Sequence, residues 1–223
     1  MKINTKILGA TILVVMLIVT GGCLNKSNKG TEQKPNVTNQ TGKQSVTETL
    51  DDILGRGMGI SSVKYDLIMT TQGAPSTTSK VWLKKNKMRT EATMGGQTII
   101  SLMDTEAQTI YTYMPAQNMA MKSDFSGGAP LSPTSNIEEY KPKTIGTETI
   151  DGKICSIVEY NAQGENTKSW IWKEKGLPIK IEMTAPEGKT TMEYKNIEFV
   201  DIPDNMFELP AGVKITEMPK SAQ

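Results

Sequence analysis

The chain has 223 residues, 25 Lys and Arg against 24 Asp and Glu, and no His. Near-balanced charge without a basic stripe argues against nucleic acid as a partner. The missing imidazole removes Ser-His-Asp and Cys-His nucleophile pairs and His-based zinc sites. Two cysteines, Cys23 and Cys155, cannot build a disulfide framework once Cys23 is assigned elsewhere. No matched acid and base stands out, so the chain is expected to be non-catalytic, with no cofactor and no metal.

Residues 1–22 read as an export signal: Lys2 and Lys6, an apolar run from Ile7 to Val19, then Thr20-Gly21-Gly22. The run is about 13 residues, shorter than the roughly 20 that span a bilayer as a helix. Small residues directly before Cys23 are the lipoprotein signature. Cys23 is therefore expected to carry diacylglycerol and palmitate-type acylation after signal removal, placing the protein on the extracytoplasmic face of the cell membrane. An uncut signal acting as a thin anchor is the other reading. Once Lys2 and Lys6 leave with the signal, the 25 basic residues fall to 23.

Residues 23–47 are rich in Asn, Lys, Gln, Thr, Ser and Gly and read as a tether without enough apolar surface to fold. Asn25, Asn36 and Asn39 are Asn-X-Ser/Thr acceptors for N-glycosylation. Residues 48–218 form the folded domain and 219–223 a tail.

Thr47 to Leu54 is expected to be a short helix capped by Thr47, with Leu50, Ile53 and Leu54 as its apolar stripe and Gly55, Gly57 and Gly59 ending it. Strands follow with alternating polarity at 63–70, 81–84, 88–91, 97–103, 109–114 and 119–122. Residues 123–136 read as loop, with a helical turn near Ile137–Tyr140. A second set covers 143–150, 153–160, 168–173, 179–184 and 190–200. Asp151-Gly152 is a strong hairpin signal. In the last strand Met192 and Tyr194 share a parity that Ile197 and Phe199 do not, which predicts a β-bulge near Lys195-Asn196. About eleven strands at hairpin spacing predict a mainly β (α+β) fold: an antiparallel, strongly curved sheet forming an open half-barrel with short covering helices.

Twelve of the 14 methionines lie beyond the signal, since Met1 and Met16 fall within it. Met suits surfaces that repack around variable apolar partners, and also fills ordinary cores. The strand parity proposes an apolar cavity lined by Val63, Tyr65, Leu67, Met69, Val81, Leu83, Tyr111, Tyr113, Trp170, Trp172, Ile179, Ile181 and Met183. One bulge suffices to reverse the parity of a strand. Cys155, in a strand-like run, is expected to be a buried, inert thiol. A thin soft-metal alternative would use the thioethers of Met114, Met119 and Met121.

Four runs carry a family resemblance. They are Val81-Trp82-Leu83-Lys84-Lys85-Asn86-Lys87-Met88-Arg89, Thr109-Ile110-Tyr111-Thr112-Tyr113-Met114-Pro115, Trp172-Lys173-Glu174-Lys175-Gly176-Leu177-Pro178-Ile179-Lys180, and Glu193–Phe199 with Ile202–Pro210. In order and spacing the chain resembles the outer-membrane lipoprotein-sorting and lipoprotein carrier (LolA-like) superfamily, in particular its archaeal membrane-anchored members. The resemblance implies an incomplete β-barrel whose apolar cavity takes a lipid, acyl chain or lipoprotein cargo, without catalysis or metal, as a monomer. It places Arg89 at the position of the carriers' cargo-binding Arg; the residues alone read Arg89 as an ion pair with a strand neighbour. A shuttling carrier is unanchored, so the lipid on Cys23 departs from the family pattern. The alternative is an envelope interaction or sensor/regulatory module with a solid core and no ligand.

Overall fold

The computed structural model describes residues 48–125, 131, 134, 137–162, 164–186 and 188–217. Cys23, the Asn25, Asn36 and Asn39 sequons and the expected export signal and tether lie outside them.

Among the described residues one α-helix, α1 (Leu50–Met58), precedes twelve strands: β1 (Ser62–Thr71), β2 (Thr77–Lys84), β3 (Lys87–Met94), β4 (Gln97–Asp104), β5 (Thr109–Met114), β6 (Met119–Asp124), β7 (Lys143–Ile150), β8 (Lys153–Ala162), β9 (Glu165–Trp172), β10 (Leu177–Ala185), β11 (Gly188–Glu198) and β12 (Lys214–Glu217). They form a single curved, unclosed sheet in the order β12-β6-β5-β4-β3-β2-β1-β11-β10-β9-β8-β7. The expected meander is thus two meanders, β1–β6 and β7–β11, joined where β1 pairs antiparallel with β11. The twelfth strand, beyond the eleven expected, is β12, which runs parallel to β6. Its Lys-Ile-Thr-Glu is exposed throughout, too short and polar to signal a strand by alternation.

Among the described residues the expected short covering helices are α1 and three 3-10 turns: Pro115–Gln117, Ile137–Tyr140 and Asp204–Phe207. The α1 N-cap is Thr49, not Thr47. Thr49 and Asp52 form a reciprocal capping box, the Thr49 hydroxyl accepting from the Asp52 backbone N–H and the Thr49 N–H donating to the Asp52 carboxylate at 3.0 Å. The helix also continues through Gly55 and Gly57, ending at Gly59. Gly57 is required by packing: a Cβ there would strike the Gly176 backbone, and Gly176 itself holds a φ of +66°. Glycine marks a close helix–turn approach here.

Asp151 and Gly152, with φ of +48° and +73°, turn β7 into β8 as their sequence predicts. The bulge near Lys195-Asn196 is present. Lys64 pairs with Glu198 but Asp66 with Lys195, Asn196 takes a φ of +51°, and its amide donates to Asp66 Oδ2 at 2.7 Å. A second register shift lies between Pro178 and Lys180 of β10, where proline cannot supply a ladder N–H.

Candidate functional site

Cross-strand partners in a ladder share a face of the sheet, so the register sorts every side chain to one side or the other. On one face Val63, Tyr65, Leu67 and Met69 of β1 stand beside Leu83, Val81, Ser79 and Thr77 of β2, and Leu67 and Met69 beside Tyr194 and Met192 of β11. This face carries α1: Ile53 and Leu54 pack on Val158 and Ile171. At its centre Val63, Tyr65, Val81, Leu83, Leu177 and Tyr194 form a buried cluster, with Leu131 of the β6–β7 connection packed against it.

The opposite face is covered in its first half by the C-terminal segment. Ile100, Leu102, Tyr113 and Ala120 cluster there with Tyr111, Leu209 and Val213. In its second half it carries Cys155, Trp170 and Ile179, packed with Trp172. Lys168 and Lys180 stand 5.2 and 4.7 Å from the Trp170 ring centroid, and the indole N–H donates to Glu148 Oε2 at 2.6 Å.

The thirteen residues expected to line one cavity are therefore divided. Val63, Tyr65, Leu67, Met69, Val81, Leu83, Ile181 and Met183 share the helix-bearing face, while Tyr111, Tyr113, Trp170, Trp172 and Ile179 belong to the other. The bulge at Pro178–Lys180 explains Ile179, because it shifts β10 by one residue relative to β9 and separates Ile179 from Ile181. For β5, Met103 pairs with Ile110 and Leu102 with Tyr111, so both tyrosines turn away from the helix.

What parity reading did not assemble is the methionine surface. Met69, Met88, Met94, Met103, Met114, Met119, Met121, Met183 and Met192, nine in all, stand on the helix-bearing face. Met94 is exposed and the other eight are half-buried. The signal lay in the parity of each strand, but linking the strands needed the ladder register. Met114 lies directly opposite Met119, so the three thioethers considered for soft metal do share this face.

A cavity of about 260 Å³ opens where α1 ends, lined among others by Gly57, Ile60, Val63, Leu83, Leu131 and Leu177. It falls just below the roughly 300–1,000 Å³ of ordinary ligand pockets. A shallower groove of about 540 Å³ lies near Tyr140 and Tyr160, with polar walls that include Lys168, Glu182 and Asn161.

Arg89 sits on the face away from the methionines. It donates from Nη1 to the Met206 carbonyl at 2.9 Å, pairs with Glu91, and lies 5.8 Å from the Trp82 ring centroid. It is the ion pair expected of its strand position, and it ties the C-terminal segment to β3. Cys155 is fully buried, and burial pushes its thiol up to about 11. Burial likewise raises Tyr65 and Tyr194, whose rings lie 5.1 Å apart, and lifts Tyr160 to about 12. Among the described residues no helix is long and apolar enough to cross a membrane.

The family described as a domain of unknown function (DUF4412) matches residues 66–175. No curated protein matches. A LolA superfamily protein (NE2245) from Nitrosomonas europaea is 15% identical over 73% of this chain and 98% of its own, with a TM-score of 0.37. MucB from Pseudomonas aeruginosa, solved in complex with MucA, is 13% identical over 75% of this chain and 63% of its own, with a TM-score of 0.48. An uncharacterized conserved protein from Thermus thermophilus is 11% identical over 75% of this chain and 98% of its own, with a TM-score of 0.59, and the chain is similar to it in fold.

Proposed function

We propose that this protein is a membrane-tethered, extracytoplasmic, non-catalytic binding protein. Its ligand is a lipid, an acyl chain or the acylated end of a lipoprotein, held on the helix-bearing face of the sheet. The observation that carries this reading is the gathering of nine methionines on that face, eight of them half-buried. Unbranched, polarizable thioethers accommodate apolar ligands of variable shape. The lipoprotein signature at Cys23 supplies the tether, and an acylated partner is the chemistry such a face complements.

The test is native mass spectrometry of the full chain released from detergent, with lipid extraction in parallel. A co-purifying apolar molecule at near-stoichiometric occupancy is expected. A bare protein mass, unchanged by added fatty acids, phospholipids or isoprenoids, would overturn the reading.

The second reading is a protein-interaction or sensor module. What favours it is how tightly the helix-bearing face is packed: Val63 of the central cluster and Val158 beneath α1 are both 0% exposed, and the cavity at the end of α1 is only about 260 Å³. A bare mass combined with co-purification of a defined protein partner is the result this reading expects.

A further inference from the structure

The methionine face is crossed by a row of hydroxyls. Thr90, Ser101 and Thr112 are cross-strand partners on β3, β4 and β5, so they stand side by side on the helix-bearing face. The neighbouring steps along the same strands are apolar. Met88 pairs with Met103 and Met103 with Ile110 on one side; on the other, Met114 pairs with Met119. Each step along a strand is about 6.8 Å for two residues, and each step across is about 4.8 Å.

Thr90, Ser101 and Thr112 are half-buried, and no side-chain hydrogen bond to another described residue engages their hydroxyls. They are absent from the fully buried unpartnered groups, which are Ser62 and Ser169, so they reach solvent on this face. Cross-strand Ser and Thr commonly satisfy one another, as Thr71 and Thr190 do here at 3.2 Å. Thr90, Ser101 and Thr112 have not done so and keep their donors available.

The apolar row leads to the cavity. Leu83 pairs with Met88 and also lines the cavity at the end of α1. From Ile110 through Met103 and Met88 to Leu83 the track is three strand steps, about 14 Å. A chain laid along it begins beside Thr112 and ends in the cavity.

We infer that this face recognises an acyl-ester lipid. Its carbonyl accepts from Thr112 and Ser101, one acyl chain runs over Met103 and Met88 into the cavity, and the rest of the molecule lies over Met114 and Met119. This deepens the proposed function and rests on it. A pure hydrocarbon or an ether-linked lipid offers the hydroxyls no carbonyl, so the row predicts discrimination between linkages.

The experiment compares a diacyl phosphatidylglycerol with its di-ether analogue of equal chain length, each titrated against the full chain by native mass spectrometry. Ester binding is expected to be tighter by roughly five- to twentyfold, as one or two neutral hydrogen bonds provide. In Ser101→Ala/Thr112→Val, with an unchanged circular dichroism spectrum, both lipids should bind at the wild-type ether level. Thr112→Val alone, which keeps the side-chain shape, should lose part of the preference and guards against a folding defect in the double variant. Equal binding of the two lipids by wild type would overturn the inference and leave the binding reading standing. A preference that survives in the double variant would remove the hydroxyls from it. Failure of both lipids to bind would sink the proposed function itself.

Discussion

Gly57 and Gly176 show how a single atom decides a local structure. Each lacks the Cβ that would collide with the other's backbone, which lets the last turn of α1 rest on the β9–β10 turn. Gly57→Ala is expected to cost about 1–3 kcal/mol through forced separation of the two backbones, measured by urea unfolding. An unchanged midpoint would show that the helix end shifts freely. The tyrosines set a pH limit. Burial raises Tyr65, Tyr160 and Tyr194 above the ordinary phenol value of 10.0, to about 12 for Tyr160. A group with a raised folded pKa contributes stability in full below its unfolded pKa and loses it as pH climbs toward the folded one. The melting temperature should hold up to about pH 10 and then fall, with phenolate absorbance appearing together with unfolding. Phenolate formation well before any loss of structure would contradict the burial. Cys155 was legible as a buried thiol from its place in an apolar strand, and in native protein Cys155 should resist alkylation at pH 8 until the chain is denatured, as peptide mapping would show.

At the scale of elements, the two halves of the sheet are covered from opposite sides. The helix α1 packs on β8 and β9 through Ile53 and Leu54, whereas the C-terminal segment lies under β4–β6 through Leu209 and Val213. The first half is thereby left with its methionine face toward the helix-bearing side. Leu54, 1% exposed, is the strongest handle on α1. Leu54→Ala should destabilise by about 2–5 kcal/mol in chemical denaturation while leaving the β-sheet circular dichroism signal in place. A loss below about 1 kcal/mol would mean that α1 contributes little to the packing. The individual strands, the Asp151-Gly152 hairpin and the Lys195-Asn196 bulge were readable from alternation and turn chemistry, since those signals are local. The exposed strand β12 was not readable, because its pairing partner β6 lies almost a hundred residues upstream and its own residues have no apolar face.

For the whole molecule, the methionine face gives a direct expectation. Replacing Met88, Met103, Met114, Met119 and Met121 together by Leu conserves volume and apolarity but removes the thioethers' flexibility. The variant should fold and still bind its best ligand, while the range of chain lengths and branching it accepts narrows; a lipid panel read by native mass spectrometry measures this. An unchanged range would assign ligand tolerance to something other than methionine.

Composition, alternation and turn residues determined by themselves that this is a mainly β chain without imidazole chemistry, with a short apolar run ahead of Gly21-Gly22-Cys23 and a surplus of methionine. Those properties are carried by residue identity and by neighbours a few positions apart. Which side chains meet was decided only by the tertiary structure. The sequence expectation joined Trp170 and Tyr113 to Val63 in one lining, yet they lie on opposite faces. Face membership is passed from strand to strand through the hydrogen-bond register, and a single bulge such as that at Pro178–Lys180 resets it for every residue beyond. The same register that divided the expected lining brought nine scattered methionines and three hydroxyls onto a common surface.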